Sequence, residues 1–367
     1  MPKLIAISPF ATSESSGHPI VDDQFYFAYL LNRGLDFLYY TSRDSANLIL
    51  KQHPEAHRFL AIVEPYRPNG LGHLRFASKL VIHPDARVIF FLYTERLVLT
   101  WYLLNIFKPF RLFLVSSNNI SAFRVRLHPF YLKLFFSVIR PKLEKLILDS
   151  TFQVKLVRAI SEKVAKLCFV RKNHLMCPKY ISIENEDTNR IFIAYFGPVT
   201  SEKPLSIFID LIKADEHQQF FYSIYNVSKD LVMHHLNMEQ LPINVKVVPA
   251  WHSYETYLKN YMASDVVMLT HTKDYEGKLS GNLCDSIALG VPFISLPIEP
   301  IISMHDTYGT LGYLFRFDER GWEIELLKSI DRKTLNQMKK NITLMQDKYS
   351  VKNVWQTLDK AFGLGEQ

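Results

Sequence analysis

Apolar residues fall in short, nearly unbroken runs, and between most of these runs the apolar positions return at helical spacing. Leu4–Ser8, Phe37–Tyr40, Phe59–Glu64, Val88–Tyr93, Leu112–Ser116 and Lys145–Leu148 read as strands. A helix carrying Phe25, Tyr29 and Leu30 follows the first of them. Runs this apolar suit strands covered on both faces, and their alternation with helices predicts a parallel sheet with right-handed crossovers.

The pattern stops at Arg171–Asn189, a polar stretch with Pro178 and no sustained period, and then restarts. Strands are expected at Arg190–Phe196, Phe220–Tyr225, Val245–Pro249, Val266–Thr270 and Phe293–Leu296. Helices are expected at Leu205–Lys213, Tyr254–Ala263, from Gly281–Asn282 to Gly290, and at Val351–Phe362. Gly290 with Pro292 beyond it is a helix stop. The reading is thus α/β with two Rossmann-like, doubly wound domains: 1–175, and 190–349 after the linker. A length of 367 residues also fits two domains.

Composition narrows the function classes. With 48% hydrophobic and 22% charged residues the chain has material for sizeable cores. Cys168, Cys177 and Cys284 show no paired spacing, which points away from a disulfide framework or zinc site and towards a reducing cytoplasm. The first apolar run is too short for a signal peptide, and Val88–Phe107 is broken by Glu95 and Arg96, so no spanning helix is expected. The net charge of +7 is concentrated. From Lys108 to Lys145 eight Lys and Arg stand against Glu144, interleaved with Phe110, Phe113, Phe123, Phe130, Tyr131, Phe135 and Phe136. An anionic lipid surface, nucleic acid, or a plain solvated basic face all fit that mixture.

The chemistry concentrates at Ser280–Gly281–Asn282, where a loop becomes a helix. The first amides of a helix lack internal partners and sit at the positive end of its dipole. Gly281 lets an anion come close, and Ser280 adds a hydroxyl, so the junction is a phosphate seat or simply a capped helix start. Asp285, one turn on, is placed to accept ribose hydroxyls or to support that first turn.

Residues Ala263–Ser264–Asp265–Val266, the loop with Glu276, and Gly290–Val291–Pro292 together resemble the donor segment of retaining GT-B glycosyltransferases, specifically glycosyltransferase family 4. The resemblance spans roughly Arg190–Phe362. It implies a GT-B fold, two Rossmann-like domains facing a cleft, with the C-terminal helix 350–367 rejoining the first domain. It also implies that Asp285 takes the ribose, with Asp for the usual Glu. Glu276 lies one residue from the family's position for the catalytic glutamate. Upstream, Gly197 fits a conserved turn and Lys203 the lysine that neutralises the departing diphosphate, or else it is a solvated lysine. Pro198 stands where an arginine usually does.

Expectations follow. A UDP- or GDP-linked sugar is the substrate, with no separate cofactor and no metal. Gly197, Lys203, Ser280, Gly281 and Asn282 hold its diphosphate. Gly17, with His18 beside it, faces the phosphates from the first domain. The transfer is of a hexosyl group, with retention, to a lipid-linked or other saccharide acceptor in surface polysaccharide synthesis. The enzyme then sits peripherally on the cytoplasmic face of a membrane through 108–145, without nucleic acid. The alternatives are a GT-B-shaped binding or scaffolding protein without transferase activity, motivated by Pro198 and the offset Glu276, and a nucleotide-sugar epimerase.

Overall fold

In the computed structural model the chain divides into two compact units, Met1–His174 with Lys352–Gln367, and Leu175–Val351. The structure describes residues 4–8, 17–63, 70–80, 82, 84–91, 93–116, 129–179, 190–250 and 253–364.

The first unit is built on a parallel sheet of β1 (Leu4–Ser8), β2 (Phe37–Ser42), β3 (Leu60–Val63), β4 (Ala86–Phe90), β5 (Phe110–Val115), β6 (Leu143–Leu148) and β7 (Cys168–Val170). Their spatial order is β3-β2-β1-β4-β5-β6-β7. The helices are α1 (Gly17–Asn32), α2 (Arg43–Gln52), α3 (Gly70–Lys79), α4 (Glu95–Leu104), α5 (Pro129–Ile139), α6 (Thr151–Ile160) and α7 (Glu162–Ala165). Strand residues alternate between two cores. Ile5 and Ile7 of β1 pack with Trp101 of α4 and Phe135 of α5. Leu4 and Ala6 pack on the other face with Tyr26 of α1 and with Leu358 and Phe362 of the closing helix, Val351–Phe362. Helix starts obey local chemistry: the hydroxyls of Ser42, Thr94 and Ser150 each accept the backbone N–H three residues on.

The second unit carries β8 (Phe192–Phe196), β9 (Phe221–Tyr225), β10 (Val245–Val248), β11 (Val266–Met268), β12 (Phe293–Ser295) and β13 (Gly312–Leu314), in the order β10-β9-β8-β11-β12-β13, again parallel. Its helices are α8 (Ser206–Ala214), α9 (Lys229–Leu236), α10 (Tyr254–Met262), α11 (Gly281–Leu289), α12 (Ile301–Tyr308), α13 (Trp322–Ser329) and α14 (Arg332–Lys348); the closing helix is α15. Each unit is a doubly wound, Rossmann-like domain.

Two features differ from the sequence reading. β7 and β13, of three residues each, are strands that the sequence reading does not include. Gly312 explains the second case, because a Cβ there would lie 2.2 Å from the Phe293 carbonyl oxygen, and β13 can pair with β12 only with no side chain at that point. The aromatic residues of Lys108–Lys145 also need correction. Phe110, Phe113, Phe135 and Phe136 are buried, because β5 lies inside a sheet covered on both faces and α5 turns Phe135 and Phe136 inward. Phe130 is exposed, and Phe123 lies outside the described residues. Among the described residues no helix is long and apolar enough to cross a membrane.

Candidate functional site

A doubly wound sheet opens a crevice where its strand order reverses, beyond the carboxyl ends of the two strands concerned. In the second unit that point lies between β8 and β11. The loops that follow these strands hold Gly197–Lys203 and His271–Ser280, and α11 starts there. Gly197 has φ +116°, a conformation suited to glycine, and the Asn282 side-chain amide donates to the Phe196 carbonyl at 2.5 Å. The start of α11 is thereby fastened to the end of β8. The Thr272 N–H donates to the Glu202 carbonyl at 3.0 Å, so the two loops are joined as well.

These loops gather positive charge. The Lys203 ammonium lies 5.0 Å from the Tyr275 ring centroid, and that of Lys278 lies 5.1 Å from the same point. Lys278 pairs with Glu202 at 2.8 Å. His271 stacks on Tyr275 with centroids 4.2 Å apart. Burial holds the His271 pKa well below its usual value, and both lysines push it the same way, so the imidazole is neutral. Burial also lowers the Lys203 pKa, with Lys278 adding to the effect against the opposing Glu202 charge. Two ammonium groups thus share one carboxylate beside a helix N-terminus.

Ser280 precedes α11, is buried, leaves the helix uncapped by its side chain, and lies beside the Tyr275 phenol. Gly281 and Asn282 are partly open to solvent, whereas Leu283–Leu289 are all buried. Glu276 is half-buried just after a 3₁₀ turn at Lys273–Tyr275, next to Gly277 with φ +79°.

Asp285 is placed differently from its sequence reading. It is fully buried. Lys179 donates to one carboxylate oxygen at 2.7 Å and the Tyr257 hydroxyl to the other at 2.7 Å. Lys179 also donates to the Tyr254 hydroxyl at 3.0 Å. Burial pulls the Lys179 pKa down, but the Asp285 and Tyr254 interactions outweigh it and raise it. Direct contact between the carboxylate and a ribose is closed in this arrangement. The atoms that reach outward belong to Lys179, 20% exposed, and to Tyr254, 40% exposed.

In the first unit the reversal lies between β1 and β4. The loop after β1 is outside the described residues, together with Ser13–Ser16. Gly17 opens α1, and the surroundings of Gly17 and His18 are likewise not described. Beyond β4, Thr94 caps α4 and approaches the buried His73 at 3.5 Å. Glu95 begins α4. Burial pushes its carboxyl up to about 7, against the opposing effects of a backbone N–H and Arg96. Tyr131 of α5 interacts with both Glu95 and Arg96. Close by in sequence to the first crevice strand, the buried Asp23 receives hydrogen bonds from Tyr39, Thr41 and Ser45, and burial raises its carboxyl to about 6.

The structure therefore assembles Gly197, Lys203, Ser280, Gly281 and Asn282, sets Glu276 in the adjoining loop, and withdraws Asp285. Sequence reasoning missed Lys278, Lys179 and Glu95. Lys278 was visible as a lysine inside the motif, and the lack of an arginine at Pro198 was the available signal to look for another cation.

No protein-family model matches the sequence, and comparison with curated proteins finds no match. Solved structures do match. HepE from Anabaena in complex with UDP shares 14% identity over 99% of this chain and 100% of its own, with a TM-score of 0.70. Sucrose-phosphate synthase from Thermosynechococcus elongatus shares 12% over 98% of each chain, at 0.63. The lipopolysaccharide outer core galactosyltransferase WaaB shares 13% over 98% of this chain and 99% of its own, at 0.61. At such identities the likeness is one of fold. The fold is GT-B.

Proposed function

We propose that the chain is a nucleotide-sugar-dependent glycosyltransferase. In this reading it moves a hexosyl group from a UDP- or GDP-linked donor to a lipid-linked saccharide, with retention, in surface polysaccharide synthesis. One observation carries the reading: Lys203 and Lys278 stand together at the strand-order reversal of the second unit, beside the N-terminus of α11. Two ammonium groups and free helix amides at one point suit a diphosphate. HepE, of the same fold, binds UDP and UDP-glucose, which supports the same donor class here.

The chemistry follows from where charge develops. As the bond between the sugar and the diphosphate breaks, negative charge grows on the departing phosphate oxygen. Lys203, Lys278 and the amides of Gly281 and Asn282 are fixed before that happens, so little reorganisation is needed. Lys278 supplies the cation that Pro198 removes. Asp285 acts at one remove, holding Lys179, and through it Tyr254, where ribose or base atoms arrive. Glu276 borders the sugar. The first unit contributes the acceptor, with Glu95 and Tyr131 at its crevice.

Donor turnover by Lys203→Ala and Lys278→Ala proteins tests this, with UDP- and GDP-sugars and a saccharide acceptor. A loss of about 10²–10³ is expected for each. Unchanged turnover overturns the leaving-group role.

A second reading, a binding or scaffolding protein, is favoured by the engagement of both Asp285 oxygens within the protein. Thermal-shift titration with UDP and GDP separates the two. Stabilisation by neither nucleotide favours the scaffold.

A further inference from the structure

The helices on one face of the first sheet carry a layer of apolar side chains pointing outward. α3 presents Leu71 and Leu74, one turn apart, and α5 presents Phe130 and Leu134, also one turn apart. Between them α4 ends in the exposed Leu103 and Leu104, followed by Phe107. Phe107 is 98% exposed, Phe130 70% and Leu71 60%. α3 packs on α4 and α4 on α5, and the inner sides of all three join the same core, so the exposed residues of the helices belong to one surface layer, with Phe107 in the turn that leaves it. Single exposed leucines are ordinary on soluble proteins, but several on adjoining helices mark an interaction surface.

Charge identifies the partner. The three helices carry a single acidic residue, the half-buried Glu95 at the start of α4. With the turn after α4 they carry exposed Arg75, Lys79, Arg96, Lys108 and Lys133. A second copy of the chain would bring like charges face to face, which opposes self-association. Nucleic acid would leave the leucines without partners, since its surface offers phosphates and stacked bases. A bilayer with anionic headgroups satisfies both halves of the pattern. Its phosphates take the cations, and its interfacial layer takes the apolar side chains.

We propose that the outer face of α3, α4 and α5 docks on an anionic lipid surface. Phe107 and Phe130 enter the headgroup layer, and Lys79, Lys108 and Lys133 face the lipid phosphates. The seat differs from the basic window read in the sequence, because α3 and the end of α4 contribute and the buried phenylalanines do not. Phe130 directly precedes Tyr131, which interacts with Glu95, so the docked face adjoins the crevice of the first unit. Docking does not depend on the transferase reading, since it needs only this surface.

Co-sedimentation with vesicles tests it, using phosphatidylcholine alone and phosphatidylcholine mixed with phosphatidylglycerol. The full chain is expected to bind the mixed vesicles, much less the neutral ones, and to release as salt rises. The double variant Phe107→Asp/Phe130→Asp is expected to lose at least tenfold in affinity. Lys108→Glu/Lys133→Glu is expected to do the same, at about fivefold or more per position. All four side chains point outward, so melting temperatures should match the parent; Lys79→Glu/Lys108→Glu provides a second charge variant should one of the others fail to fold. No binding to mixed vesicles overturns the proposal, as does binding that folded variants leave unchanged. Light scattering that shows a dimer abolished by the same substitutions overturns it in favour of self-association.

Discussion

The Lys179 ammonium lies 2.7 Å from a carboxylate oxygen of Asp285, across 106 residues of sequence. The Lys179 N–H also donates to the Ala288 carbonyl at 2.8 Å, so this part of the chain is fixed on α11 by backbone as well as side chain. Asp285 is fully buried, and a buried charge that loses its partner is costly. Lys179→Met should therefore destabilise the second unit by about 3–5 kcal/mol. Asp285→Asn with Lys179→Met should recover part of that loss. Thermal melts of the two proteins check the difference, and equal losses would show that the ion pair is not what Lys179 contributes.

Lys278 offers a sharper test of the donor site than its removal alone. Lys278→Arg keeps the charge and can keep the Glu202 pair, whereas Lys278→Gln keeps size and loses charge. Turnover is expected to survive within about tenfold in the first and to fall by about 10²-fold or more in the second. Donor kinetics on both proteins measure this, and equal falls would mean that shape rather than charge matters at this position.

Glu95 and Asp23 give the first unit an acid-side preference. Burial raises Glu95 to about 7 from 4.5, and Asp23 to about 6 from 3.8. The folded state then holds these protons more tightly than the unfolded state, so as far as these groups are concerned stability is greatest below pH 3.8 and falls as pH rises through about 7. Glu95→Gln should flatten that fall and raise stability at pH 8 by about 1–3 kcal/mol. Melting curves at pH 5 and pH 8 on parent and variant provide the comparison, and an unchanged pH slope contradicts the assignment to Glu95.

Gly312 is the most exacting backbone position in the second sheet. A methyl group would meet the Phe293 carbonyl oxygen at 2.2 Å, and backbone cannot yield as a flexible side chain does. Gly312→Ala should cost at least about 1–3 kcal/mol. A melting temperature equal to that of the parent would show that β13 can shift off β12.

The framework of both sheets was legible because apolar runs and helical spacing report burial directly. β8, β11 and α11 carry the site, and each announces itself by period or by a terminal glycine. What lay hidden depends on the third dimension. Lys179 belongs to a polar stretch without period, and nothing local links it to Asp285. Glu95 reads as a mere interruption of an apolar zone, while its raised pKa comes from burial that only the folded chain creates. Phe110 and Phe135 look no different in sequence from Phe130, yet only Phe130 reaches solvent, because a strand inside a doubly covered sheet has no outward face and α5 turns Phe135 towards the core.

α11 is buried from Leu283 to Leu289 and meets solvent only at Gly281 and Asn282. Its Ile287 and Ala288 carbonyls are engaged by the Gln346 amide, at 2.6 and 3.2 Å. Such a helix emits its field through a single aperture in low-dielectric walls, where mobile counter-ions cannot gather along its length. Ionic strength should therefore weaken anion binding at this aperture far less than it weakens attachment of the first unit to lipid. One salt titration, followed by nucleotide binding and by vesicle binding, reads two electrostatic regimes within a single chain.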